Sequence, residues 1–176
     1  VLDKHFDVIN ADGVLHHLEN PIEGLNSLIR LLNPGGFIKI SVYSEIARQD
    51  ISTCRDEIAR LGYTDSLRDI KKYRTICASS NFPHHRGLRS FSDFYSLSEF
   101  RDLVFHVKEH QFTWGKIADL LNQSNLYFCG FSSIDITNKI YQDNSSRRFD
   151  LTYLGEYEEK NRNTFKEMYQ FWCQKI

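Results

Sequence analysis

Arg101, His106, Glu109 and His110 are the residues of this chain whose types and spacing point most directly to chemistry. His106 and His110 stand four apart, so a helix carries both imidazoles on one face. His-x-x-Glu-His is also the inverted zincin signature, two histidine ligands with a glutamate base. A zinc hydrolase of that kind needs a third ligand from a later helix; Glu156, Glu158 and Glu159 sit on one, closer in sequence than expected. Without a metal, Arg101, His106, Glu109 and His110 would line a polar substrate pocket, or form a partly exposed helix face with local ion pairs. Tyr43, Glu45 and Arg48 form a second group. Tyr43 could wall a substrate pocket, and Arg48 could grip a carboxylate or phosphate with two parallel hydrogen bonds, or pair locally with Glu45 or Asp50. His84-His85-Arg86 falls in a stretch containing Pro and Gly and reads as a solvated cluster in a loop.

The elements that must position these groups are legible from periodicity. Residues 6–11 (FDVINA) are apolar and β-branched and too short for a self-burying helix, so they read as a strand. Asn20-Pro21 signals a helix start, the Asn as cap and the Pro in the first turn. Ile22, Leu25, Leu28, Ile29, Leu31 and Leu32 recur at helical spacing. Asn33-Pro34-Gly35-Gly36 ends that helix, and residues 37–43 read as a second strand. Strand, helix and strand make a parallel unit whose loops, residues 12–17 and 43–48, lie at the strands' carboxyl ends, where open α/β sheets bind ligands.

Further along, helices are expected over 44–61 with Ser44 as cap, from Asp65 or Ser66 through Cys77, over 97–110, and in a short segment capped by Thr113. Residues 81–92 read as a loop, 126–136 as a strand with a bulge at Gly130, 150–160 as a helix with a solvated acidic face, and 168–174 as a final strand. Trp114, Tyr169, Phe171 and Trp172 read as core. The connection between the second strand and residue 126 is long for an α/β unit and suggests an inserted helical lid over 45–123, with the closing elements in 124–176.

A hydrophobic share of 41% across 176 residues suits one packed domain. The net charge of −1 supplies no attraction for nucleic acid or an anionic membrane. No apolar run approaches the roughly 20 residues of a membrane helix, and a cytoplasmic location is expected. Cys54, Cys77, Cys129 and Cys173 are scattered without a close pair, so no metal site or disulfide framework is indicated; they read as reduced and mostly core.

FDVINADGVLHHLENP followed by LLNPGGFIKISVYSEIAR resembles the fourth strand, following helix and fifth strand of class I S-adenosylmethionine-dependent methyltransferases. YSEIAR, FYSLSEFRDLVFHVKEH and TFKEMYQFWCQK extend the resemblance to a bacterial subgroup whose domain is often joined to tetratricopeptide repeats. It implies a Rossmann-like α/β sheet, represented from its fourth strand onward, with an inserted lid and an antiparallel final strand. It implies methyl transfer from S-adenosylmethionine to an unidentified small-molecule acceptor. Asp12, Gly13 and Val14 would line the methionine side of the cofactor, and Leu15 and His16 would border the transferred methyl. An imidazole titrates near neutrality, which makes His16 the candidate general base; packing in the loop is the alternative role for either histidine of the pair. The family's glycine-rich loop and ribose-binding acid have no counterpart, so the chain reads as the carboxyl-terminal part of a longer protein and as inactive alone. An interaction module without activity is the competing reading.

Overall fold

The computed structural model describes residues 4–105 and 109–176. The chain begins with β1 (Phe6–Asp12), a 3-10 turn (Leu15–His17), α1 (Pro21–Arg30) and β2 (Leu32–Ser44). Four helices follow: α2 (Gln49–Arg60), α3 (Leu67–Ser79), α4 (Pro83–Leu88) and α5 (Leu97–Phe105). Then come β3 (Gln111–Phe112), α6 (Trp114–Gln123), β4 (Leu126–Phe131), α7 (Ile134–Asn144), α8 (Leu151–Lys160) and β5 (Tyr169–Lys175). Two compact units result, one of Val1–Ala47 with His110–Ile176 and one of Arg48–Glu109.

The first unit is the sheet. β1 and β2 pair in parallel, as the strand-helix-strand pattern requires, and the order runs β1-β2-β5-β4 with β3 beside the end of β2. β5 lies between β2 and β4 and is antiparallel to both, the arrangement that the resemblance implies for the final strand. Asn20 caps α1 as expected, its side-chain oxygen accepting from Ile22 N at 3.1 Å and Glu23 N at 3.2 Å. Leu25 is fully buried, with Leu28 and Ile29 packed against the same core. The Trp114 ring sits among Tyr169, Phe165, Phe131 and Phe171, with centroids 4.6 to 5.9 Å away, so α6 joins the sheet's core rather than the helical insertion in which it had been counted.

At the entry to β2, Gly35 has φ +76°, a backbone state that favours glycine. Gly36 is needed for space instead. A Cβ there would meet Asn33 O at 2.9 Å and Asp7 O at 3.0 Å, backbone atoms that cannot swing aside. Gly36→Ala is therefore expected to cost about 1–3 kcal/mol; an unchanged urea midpoint would contradict this.

The second unit packs α2, α3, α4 and α5 around Ile51, Cys54, Ile70, Tyr73, Phe100 and Val104. Here the structure corrects several expectations. The helix placed at 44–61 begins only at Gln49, because the Ser44 hydroxyl turns the chain by accepting from Ala47 N at 3.0 Å. The expected loop at 81–92 contains α4, where Pro83 occupies the first turn and His85 and Leu88 are buried. In the sheet unit, β4 stops at Phe131, and Ser133 caps α7 by accepting from Ile136 N at 3.3 Å, so residues 134–136 are helical rather than extended. The bulge at Gly130 is present, with φ +128° and a register shift between Phe128 and Gly130. The helix expected to reach 110 is described to Phe105; residues 106–108, and with them His106, lie outside the described residues, while Glu109 and His110 are not helical.

Candidate active site

Two loops meet at the carboxyl ends of β1 and β2. After Asp12 the chain turns through Gly13, whose φ is +69° and around whose added Cβ nothing would lie within 4 Å. An open glycine backbone at the end of a parallel strand is where a ligand can approach the main chain closely. The 3-10 turn that follows buries His16 completely and sets its ring 4.0 Å from the Tyr43 ring at the end of β2, centroid to centroid. His17 stands edge-on to His16 at 4.2 Å. The His16 carbonyl accepts from His110 N at 2.8 Å, which ties the first loop to the segment entering β3.

Asp12, Gly13, His16, His17, Tyr43 and His110 are thus neighbours within the sheet unit, although the sequence spreads them over about a hundred residues. Asp12 accepts from Lys39 Nζ at 3.0 Å, and the adjacent Ser41 hydroxyl, then Lys39, hold its carboxyl below the ordinary aspartate range. It is a carboxylate at neutral pH. Val14 is exposed, whereas the Leu15 side chain points into the core, so the main chain of Leu15 is the part available at the loop. His110 also lines a cavity of about 340 Å³ with Asn20, Gln111, Lys116 and Asp119. Lys116 reaches Glu45 Oε2 at 2.5 Å.

The remaining sequence candidates belong to the helical unit. Arg48 is buried and faces Glu109, Nε to Oε1 at 3.8 Å. Arg55, not among the candidates, donates to Glu109 Oε2 at 2.9 Å and to Leu103 O at 2.8 Å. Glu109 is thus a carboxylate facing two guanidinium groups. Arg101 is exposed and pairs with Asp65 at 2.9 Å.

Sequence reasoning missed Glu158. It had been assigned to a solvated acidic face, yet it is buried, accepting from the Ser44 hydroxyl at 2.5 Å and from the Tyr169 hydroxyl. Burial pushes its carboxyl above the usual glutamate range, against the lowering effect of those two donors, and pushes the Tyr169 phenol up as well. The signal was available: Tyr153, Leu154 and Tyr157 define the inner face of α8, and 158 continues it one turn beyond Leu154.

Residues 1–40 match the family described as a methyltransferase domain. The fold extends the likeness beyond those residues, since PKMT2 from Rickettsia typhi superposes with a TM-score of 0.71 at 16% identity over 97% of this chain and 35% of that one. The chain shares the fold of that protein along nearly its whole length. PKMT2 in complex with AdoHcy superposes on this methyltransferase fold with a TM-score of 0.69, at 15% identity, over 98% of this chain and 36% of the other. An uncharacterised protein of Synechococcus sp. is 33% identical over 141 residues, 76% of this chain and 34% of that protein. A tRNA U34 carboxymethyltransferase of Syntrophotalea carbinolica is 38% identical over 61 residues, 34% of this chain and 19% of the enzyme. The chain thus spans about a third of the length of the first of these relatives and of PKMT2.

Proposed function

We propose that this chain works within a longer cytoplasmic protein as part of an S-adenosylmethionine-dependent methyltransferase acting on a small-molecule acceptor. The observation that carries the reading is the pairing of the open Gly13 loop with the buried His16–Tyr43 contact, at the carboxyl ends of two parallel strands in a methyltransferase sheet. The cofactor would lie against Asp12, Gly13, Val14 and the main chain of Leu15. As the source of the methyl group it supplies the electrophile. The protein's share is alignment: a transferred methyl needs its acceptor in line with the departing sulfur, and the histidine–tyrosine wall confines that approach. His16 is the residue we assign to take a proton from the acceptor, at its imidazole. On the sheet unit, Tyr43 and His110 are the proposed acceptor side.

The likeness to a tRNA-modifying enzyme covers 61 residues, and a chain of net charge −1 has no electrostatic reason to hold RNA. Among the described residues no helix is long and apolar enough to cross a membrane. Tetratricopeptide repeats ahead of Val1 belong to the same proposal. Calorimetric titration of the longer protein with S-adenosylhomocysteine should show binding, and the 176-residue chain alone should show none. His16→Ala should lower turnover by about 10²-fold or more while leaving that binding in place. Absence of binding to the longer protein would overturn the cofactor assignment, and undiminished turnover in His16→Ala would overturn the role of the base.

A further inference from the structure

In the helical unit, Cys54 on α2 and His84 and His85 on α4 each offer a ligand atom within 4.8 Å of the other two. We infer that these three side chains form a zinc site, separate from the methyl-transfer chemistry. One sulfur and two imidazoles are a donor set that zinc favours, with a fourth position left for water. Bonds of about 2.0–2.3 Å to a tetrahedral ion put its ligands roughly 3.4–3.8 Å apart, so the trio needs to draw in by about 1 Å.

Two further features separate this cluster from a chance meeting of side chains. His85 Nδ1 is buried and makes no hydrogen bond, which leaves that ring a nitrogen with an uncommitted lone pair or proton; His84 Nε2 makes none either and lies 3.5 Å from Glu57 Oε2. The groups around them are those that orient ligands. His85 Nε2 lies 2.7 Å from Glu57 Oε2, and the Tyr73 hydroxyl donates to the same oxygen at 2.8 Å. A carboxylate behind a histidine, itself fixed by a phenol, sets the tautomer that presents the opposite nitrogen to a metal. The Cys77 thiol is in hydrogen-bonding contact with Cys54, the counterpart donor for a metal-bound sulfur. Cys54, Cys77, Tyr73 and His85 are all fully buried, whereas His84 keeps a fifth of its side chain exposed, which leaves a route for the ion. On binding, the Cys54 thiol gives its proton to solvent and its sulfur bonds the zinc, with both imidazoles neutral.

The test uses the 176-residue chain, freed of metal with a chelator and then equilibrated with zinc or with cobalt(II). One equivalent of zinc should bind. The cobalt form should show a thiolate-to-metal charge-transfer band that Cys54→Ser abolishes. His84→Ala, at the partly exposed ligand, should weaken zinc binding by about 10-fold or more while its metal-free melting temperature stays that of the parent. Zinc should also slow alkylation of Cys54. Substoichiometric zinc, a cobalt spectrum without the thiolate band, or unchanged affinity in His84→Ala would each overturn the site.

Discussion

Glu109→Ala is expected to destabilise the protein by about 3 kcal/mol, read as a lower midpoint in guanidinium unfolding. Glu109 is nearly buried between Arg48 and Arg55. Removing it deletes the carboxylate that both guanidinium groups face, and breaking a buried ion pair from one side is among the costliest single lesions. The fifth of the Arg55 side chain that meets solvent keeps the expected loss at the lower end of the range for broken buried pairs. Glu109→Gln retains shape and acceptor but not charge, and should fall between the two. This separates two roles for the residue: a group that only contacts acceptor would change turnover and leave the midpoint where it was.

Glu158→Ala is expected to cost about 3 kcal/mol as well, because it strips the acceptor from two buried hydroxyls, those of Ser44 and Tyr169, at about 1–3 kcal/mol each when unsatisfied. The pH dependence provides a second readout. Burial raises the Glu158 carboxyl above the value of about 4.3 it has in an unfolded chain. The folded state then holds the proton to higher pH than the unfolded state. Its contribution is fully present below about pH 4.3 and is lost as pH rises through the folded value. Glu158→Gln cannot ionise, so its stability relative to the parent should climb across that window. A parent-minus-variant difference that is flat with pH would show that the carboxyl does not titrate differently on folding.

The sheet was legible because its signals are local. Val8 and Ile9 on one strand, Asn20-Pro21 before the helix and Pro34-Gly35-Gly36 before the next strand each act within a few residues, and the register of β1 on β2 follows from them. The boundary errors came where a polar residue could serve more than one element. Ser44 looked like a helix cap but engages Glu158 and a turn; Ser133 caps a helix inside what read as a continuous strand. Of the site, the loop glycine and the His16–Tyr43 neighbourhood followed from strand ends. The partners of Arg48 and Glu158 did not, because an ion pair across 61 residues and a hydrogen bond across 114 carry no periodicity. His84 and His85 read as solvated because Pro and Gly flank them; tertiary burial of α4 overrode that composition.

The placement of β5 also bears on synthesis. It is the latest of the sheet's strands in the chain, yet it lies in the interior between β2 and β4 and supplies both with hydrogen-bonding partners. A ribosome therefore releases β2 more than a hundred residues before the neighbour that covers its far side. Until then the β1–β2 pair and β4 have no strand joining them, and the rim that carries His16 and Tyr43 rests on half a sheet. Loop closure over such a separation is slow relative to local helix formation. The helical unit of Arg48–Glu109 can assemble during translation, while β2 and β4 are joined only once Tyr169–Lys175 has emerged.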